Sequence, residues 1–492
     1  MHVEIEPGHG RHVAEAFHEA FTEEREFRHV RGIKSHPAFR ASAGRWRGGT
    51  AGATFRPMVV SLAVLALGAA WALAAAGVEP FPTWFYVFAW YPTLVLLDAD
   101  ARRRDRRPSI FADPRRLASL GFWSAVIWLV FEAANFRLRN WYYVFVPDRM
   151  VERWLGILLS FATVVPAVVL VERWLRALGV GRTWQVRPLR TRRWEMPAIA
   201  IMGVGMAAAA LAVPEQLFPL IWGAAWLIAE PFVYRRRPDW SLLMDIELGV
   251  WGRIGRLLVG GLLIGVVWEF FNSWARGRWI YTVPWLEHTK LFEMPPLGFL
   301  GFPFFALEAW AMYHALCAAG LAVPPEEEPP PAPRRRRAVA IAGAAVLSVA
   351  VLLGMDRMTI SSTTPRIPGI PGVTAAEVLA LRDAGYHSVF ALADARGSTA
   401  SAAGVAPSRF AAIVREARLV VLRGIGTGNA ADLASVGIAS VCELARRNPA
   451  TLRPLVQEAR RGRLGRAAGP VRPTRAEVRV WVGAARRACP QG

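Results

Sequence analysis

Glu132 and Asn135 stand three residues apart, and Glu269 and Asn272 repeat that spacing later in the chain. On a helix, three residues bring both side chains to one face. Aromatic residues follow each pair in the same order. Trp141, Tyr143 and Pro147 follow the first, and Trp279, Tyr281 and Pro284 the second. Corresponding residues are offset by 137 or 138 positions. Each pair closes a strongly apolar segment, so each sets a carboxyl group at the edge of an apolar layer. An ionisable group inside such a layer costs about 3 kcal/mol or more. That cost points to a proton relay, a site for a cation or polar headgroup, or a general acid/base pair. A protonated carboxyl in an apolar pocket is the arrangement for general-acid work on a lipid-like substrate.

Glu172 and Glu308 lie in the apolar segments after each motif and are expected to face the same centre. The candidate polar site is therefore Glu132, Asn135, Glu269, Asn272 and Glu308. A purely structural use competes with it, because Glu and Asn at helix ends also bond across packed helices. Arg137, Arg139, Arg276 and Arg278 follow closely and are expected to neutralise the glutamates.

Known chemical motifs are missing. The chain has no His-box, HExxH, DDxxD, GxSxG or Walker A pattern, so no cofactor and no metal are expected. Six of nine histidines fall in residues 1–56, and a helix there would put His12, Glu15 and Glu19 near one face. Nothing in the spacing makes them converge as metal ligands require. Cys317, Cys442 and Cys489 have no metal-ligand spacing and suggest no disulfide framework. Paired carboxylates in apolar helices resemble small membrane-embedded cyclases of isoprenoid metabolism, but no residue role follows from that resemblance.

The elements that carry these residues are apolar. Hydrophobic residues make up 54% of the 492, above the 45–50% or so of soluble domains. They gather near 57–78, 81–97, 117–134, 155–175, 197–213, 216–234, 257–274, 296–322 and 338–354. Several approach the roughly 20 residues that cross a bilayer. The net charge is +21 with only two lysines, Lys34 and Lys290. A GC-rich bacterial genome and positive-inside loops account for that arginine bias, and phosphate groups of lipid or nucleic acid are the partners it suits. Seven arginines crowd 98–116, six follow at 176–195, and further clusters stand at 235–237 and 334–337. The positive-inside rule makes these loops cytoplasmic. The N-terminus is then inside, the aromatic motifs outside, and after nine spans the C-terminal region is extracytoplasmic.

The repeat extends beyond the motif. Arg106-Arg107-Pro108 answers Arg236-Arg237-Pro238, and Asp98 or Asp100 answers Glu230. Residues 57–177 and 197–322 then form two copies of a four-helix unit with equal orientation, related by an axis along the membrane normal. The expected fold is all-α: a polytopic membrane bundle with an internal four-helix duplication. A polar tail at 1–56, a Pro/Glu/Arg linker at 324–337, a ninth membrane helix at 338–354 and a small domain at 366–487 complete it.

That small domain reads as short helices joined by Gly-bearing turns. Leu422-Arg423-Gly424-Ile425-Gly426, then Ala430, Leu433, Gly437-Ile438 and Leu444, resembles the helix-hairpin-helix motif. A looser copy runs through Ile370-Pro371-Gly372, Leu381 and Gly385-Tyr386, with Thr374 in place of the second hairpin Gly. The resemblance implies that Gly424, Ile425 and Gly426 cradle a DNA phosphate, with Arg423 beside them. Tandem copies also serve as protein-interaction modules. From Asp356 onward 20 Arg face 9 acidic residues, which suits a polyanion.

The leading expectation is a bacterial inner-membrane protein with a binding or scaffold module. Membrane lipids are its surroundings, and DNA or an envelope protein its partner. One alternative is an enzyme or transporter for a lipid or isoprenoid-type substrate at the paired Glu and Asn. The other is membrane-anchored DNA binding or uptake.

Overall fold

An apolar segment satisfies its backbone polar groups most simply by closing them into a helix, and each of the nine segments contains one. The computed structural model describes residues 51–189, 195–283, 289–326, 333–395, 402–465 and 472–489. His12, Glu15, Glu19, Pro284 and residues 327–332 of the linker lie outside the described residues. The order is α1 (Ala51–Ala75), α2 (Phe85–Asp105), α3 (Pro114–Leu138), β1 (Trp141–Val144), α4 (Met150–Phe161), α5 (Val164–Ala177), α6 (Glu195–Ala212) and α7 (Ile221–Arg236). Next come α8 (Gly252–Trp274), β2 (Arg278–Tyr281), α9 (Gly301–Ala318) and α10 (Arg334–Met358). The fold is mostly helical, with a two-stranded sheet as its extended structure among the described residues.

Among the described residues, seven helical spans are long and apolar enough to cross a membrane: α1, α3, α4 with α5, α6, Pro214–Arg236, α8 and α10. The expected count was nine. Helices α2 and α9 fall outside the seven because charged and polar residues occupy them, Arg102 to Arg104 in α2 and Glu308 and His314 in α9. The fourth segment is also broken, by a turn at Ala162 and Thr163 between α4 and α5. The core lies where α5, α8 and α9 meet. On α8, Gly261 lets α9 approach until an added Cβ would stand 2.6 Å from the Phe302 carbonyl oxygen. Small residues at such crossings let backbones close in.

Caps set the helix ends that matter. Asp113 accepts hydrogen bonds from the Arg115 and Arg116 amides, and Pro114 takes the first helical position of α3. At its far end Arg139 turns left-handed, and the chain reverses into β1. At the arginine-rich ends two buried carboxylates hold serine caps. The Ser109 hydroxyl donates to Asp98 at 2.5 Å, and the Ser241 hydroxyl donates to Glu230 at 2.7 Å. Arg173 also bonds Asp105 at 2.9 Å.

Strands β1 and β2 pair antiparallel, with Trp141 opposite Tyr281 and Tyr143 opposite Trp279. Corresponding residues of the two motifs therefore cross over in the ribbon. Beyond α10, residues 359–364 run along the other edge of β1. The Tyr143 amide donates to the Thr359 carbonyl, and the Ser361 amide donates to the Tyr143 carbonyl.

The C-terminal domain comprises α11 (Ala375–Asp383), α12 (Val389–Ala393), α13 (Pro407–Val421), α14 (Gly426–Ala434), α15 (Val441–Ala445), α16 (Pro449–Leu464) and α17 (Arg475–Ala488). Two hairpins share one build. Gly385 and Gly437 turn left-handed after α11 and α14, then Ser388 and Ser440 cap α12 and α15. Their core includes Leu381, Leu392, Ile413, Leu433 and the fully buried Trp481. Thr374, at the position lacking the second hairpin Gly, caps α11 in a box with Glu377. The Arg409 guanidinium bonds the Glu377 carboxyl and pulls its pKa down to about 2.

One expectation about the cysteines is overturned. Cys442 and Cys489 form a disulfide between α15 and the end of α17. Their 47-residue separation hides a contact that exists only because α15 packs on α17. Closing a loop of that length stabilises by about 4 kcal/mol in the chain-entropy treatment. Cys442→Ser should therefore lower the stability of this domain by up to about that amount. Amide hydrogen exchange across α17 is the measurement, with faster exchange the expected outcome.

Candidate functional site

Glu132, Asn135, Glu269 and Asn272 are all 0% exposed, so each must find its partners inside the protein. The two asparagines do so through the backbone. Asn135 donates to the Trp141 carbonyl at 3.0 Å and accepts from the Asn140 amide at 2.8 Å. Asn272 donates to the Trp279 carbonyl at 3.0 Å and accepts from the Trp279 amide at 3.1 Å. Each asparagine thus fastens a helix end to the strand that follows. That is a structural use, and it holds although the step from Asn to Trp is six residues in the first motif and seven in the second.

The glutamates bind rings instead. Glu132 Oε1 accepts from Trp128 Nε1 at 3.1 Å, Trp141 Nε1 at 3.0 Å and the Tyr143 hydroxyl at 2.5 Å. Glu269 Oε1 accepts from the Tyr281 hydroxyl at 3.0 Å. The second oxygen of each carboxyl is buried without a hydrogen-bond partner among the described residues. The halves differ at two donors: Trp279 Nε1, the counterpart of Trp141 Nε1, has no hydrogen-bond partner among the described residues, and the counterpart of Trp128 is a glycine. The offset that carries Glu132 to Glu269 carries Trp128 to Gly265, and the Phe302 ring occupies the space beside Gly265.

Among the described residues, neither glutamate forms an ion pair, contrary to expectation. Arg137 donates to the Ala212 carbonyl, Arg276 pairs with Glu79 at 3.0 Å, and Arg278 lies 3.8 Å from Glu293. Arg139 forms the left-handed end of α3. The arginines sit past the helix ends, where the chain reverses away from the carboxyls. Glu172 also departs from the expected centre, because Arg256 binds it at 2.8 Å at the opposite end of the helices.

Glu308 lies near the motifs but serves another element. The chain kinks at Trp222 and Gly223, and Gly223 takes φ +141°. The kink frees two amides, and Glu308 Oε1 accepts from Gly223 at 2.7 Å and Ala225 at 2.9 Å. The result fixes Trp222, whose ring stacks on Phe131 with centroids 5.6 Å apart.

These three carboxylates surround a cavity of about 380 Å³ without lining it. Rings form much of its wall, including Trp128, Trp141, Trp222, Trp268, Trp279 and Tyr281. The rings touch in series, with Trp128 6.0 Å from Trp268 and Trp222 6.0 Å from Phe305. At the rim stand Leu297, Leu300 and Phe304, which are exposed. Trp128 was legible as the residue one helical turn before Glu132. Trp222 and Phe305 were not, since they arrive from segments with no motif of their own.

The hairpin residues Arg423, Gly424, Ile425 and Gly426 lie together against the outer face of the ribbon. Gly424 takes φ +75°, and an added Cβ would stand 2.2 Å from Val144 Cγ1. The Gly424 carbonyl accepts from Ser362 at 2.7 Å. Arg423 bonds both carboxyl oxygens of Glu293. Ile425 is fully buried in the domain core. No group of three or more metal-ligating residues converges among the described residues.

Residues 371–488 match the family model described as a domain of unknown function, DUF4332. The match spans α11 through α17. No curated protein and no solved structure matches the chain.

The asymmetry of the two carboxyls makes a prediction. Glu132→Leu strands three ring donors and Glu269→Leu strands one, at about 1–3 kcal/mol per buried donor. Thermal unfolding of the detergent-solubilised protein should show Glu132→Leu as much the more damaging change.

Proposed function

We propose that this is a polytopic membrane protein built by internal duplication, whose paired motifs hold one binding site for a lipid-like molecule. The observation that carries the reading is the ring-walled cavity with its exposed apolar rim. A pocket of this size and apolarity suits a small organic ligand. Leu297, Leu300 and Phe304 at the rim favour access from the hydrocarbon layer over access from water. The glutamates are positioning groups in this reading. They hold Trp128, Trp141, Tyr143 and Tyr281 in place and do not themselves touch the ligand. That favours binding or transport over acid catalysis at these residues.

Duplication is supported by the crossed register of β1 and β2, which is the pairing a pseudo-twofold axis generates. It is supported again by the matching Asp98–Ser109 and Glu230–Ser241 bonds. For orientation, the helices run between arginine-rich turns at one end and the ribbon at the other. Positive-inside charge then puts the ribbon and C-terminal domain outside the cytoplasm of a bacterial inner membrane. A disulfide in that domain suits an oxidising compartment.

The C-terminal domain acts here as a helix-hairpin-helix-like scaffold on the protein's own ribbon. Its hairpin glycines meet Val144 and Ser362, and its arginine is occupied by Glu293. Contacts of this kind favour protein docking over phosphate binding. The full-length protein should accordingly show no salt-dependent affinity for duplex DNA through Arg423, and Arg423→Ala should leave any residual DNA binding unchanged.

Two experiments test the main reading. Native mass spectrometry of the detergent-solubilised protein should find a retained lipid-like molecule at one per chain. Ser160→Trp, placed in the cavity wall, should expel it; retention in that variant would sink the assignment of the site. For the docking, Gly424→Ala should raise amide exchange in β1 while leaving α3 and α8 protected. Unchanged exchange at Val144 would mean that the hairpin does not hold the domain down.

A further inference from the structure

We propose that the ligand of the ring-walled cavity carries a cationic group of the quaternary-ammonium type, seated among the tryptophan and tyrosine rings. This rests on the reading of the cavity as a site for a lipid-like molecule and adds the chemistry of its polar end.

The wall supplies ring faces and few free donors. Trp128, Trp141 and Tyr143 spend their N–H and O–H groups on Glu132, and Tyr281 spends its hydroxyl on Glu269. These four groups are committed to carboxyls, while Trp279 Nε1 has no hydrogen-bond partner among the described residues. What remains is the negative face of each ring, which attracts a cation. Ring contacts close the wall on several sides, with Trp141 6.4 Å from Trp222 and Tyr86 5.3 Å from Trp279.

Charge points the same way. Two carboxyls lie directly behind the rings that bond them, and neither has an ion-pair partner among the described residues. A cation on the ring faces would have both carboxyls close by at the ring edges, the nearest acidic groups to offset its charge. Arg278 is the one charged residue that lines the cavity among those described. It alternates with Trp279 and Tyr281 along β2, so its side chain leaves by the opposite face of the strand. There it bonds the Ser273 carbonyl at 3.1 Å and lies beside Glu293. The Lys290 ammonium is tied to the backbone of β2, donating to the Tyr281 carbonyl at 3.0 Å.

The test uses the full-length protein in nanodiscs and follows tryptophan fluorescence. The probes are dodecyltrimethylammonium, its neutral isostere with carbon in place of nitrogen, dodecanoate, and tetramethylammonium alone. The ammonium amphiphile should bind at least about tenfold more tightly than the isostere and dodecanoate. Glu132→Gln with Glu269→Gln should bring the ratio of ammonium to isostere affinity to about one, and a ratio kept at about tenfold overturns the role of the carboxyls. If the double variant fails to fold, Glu269→Gln alone should reduce the preference. Tetramethylammonium binding as tightly as the amphiphile supports the cation site and makes a free ammonium compound the ligand. Weaker binding of the short probe supports it too and makes the ligand a lipid. Equal affinity for ammonium and isostere overturns the cation inference and leaves the lipid site standing. Binding of none of the alkyl probes overturns the lipid site itself.

Discussion

Everything around the site hangs on the short ribbon made by β1 and β2. Eight residues pair there, and both faces of the ribbon are used. The inner face carries Trp141, Tyr143, Trp279 and Tyr281 toward the glutamates and the cavity. The outer face carries Tyr142, Val144 and Ile280 into a cluster with Val480 of the C-terminal domain. A strand alternates its side chains by necessity, so one element can wall a cavity and dock a domain at once. A shift of register by one residue would exchange the two faces and abolish both uses.

The carboxyl groups make sense in that setting. A buried ring with an N–H or O–H is best satisfied by an acceptor within the protein. Glu132 serves three such rings at once. Glu308 does the equivalent for backbone, accepting the amides freed where the chain kinks at Gly223. In both cases an ionisable side chain buried beside apolar helices holds an aromatic residue where packing alone would not. The proposed ligand site is the space those rings enclose. Its chemistry is set at one remove, by carboxylates the ligand does not touch.

The C-terminal domain adds a second constraint on the same ribbon. Residues 359–364 extend the sheet from β1, and the Arg153 guanidinium bonds Asp356 at the end of α10. Gly424 approaches Val144 too closely for any side chain. The glycine that in the helix-hairpin-helix resemblance would admit a phosphate here admits the protein's own strand. A backbone cradle binds whatever partner is nearest, and in this chain that partner is covalently attached.

Sequence alone determined a good deal, because bilayer-length apolar segments have one simple backbone solution. Helices at all nine positions, the two Glu/Asn motifs and the Gly-bearing turns at Gly385 and Gly437 were legible from periodicity, spacing and glycine placement. Trp128, one helical turn before Glu132, was missed although its spacing could have shown it. Other features depend on which elements come to lie side by side, and no local pattern encodes that. The Cys442–Cys489 bond needed α15 to meet α17. The partners of Glu132 needed β1 to fold back over α3, which also carried Arg137 and Arg139 away from it. Glu172 and Glu308 looked equivalent in the chain, yet one end of the bundle offered Arg256 and the other a kinked backbone. Burial supplies the physical reason. It obliges every polar group to find a partner, and only the tertiary structure decides which partner is within reach.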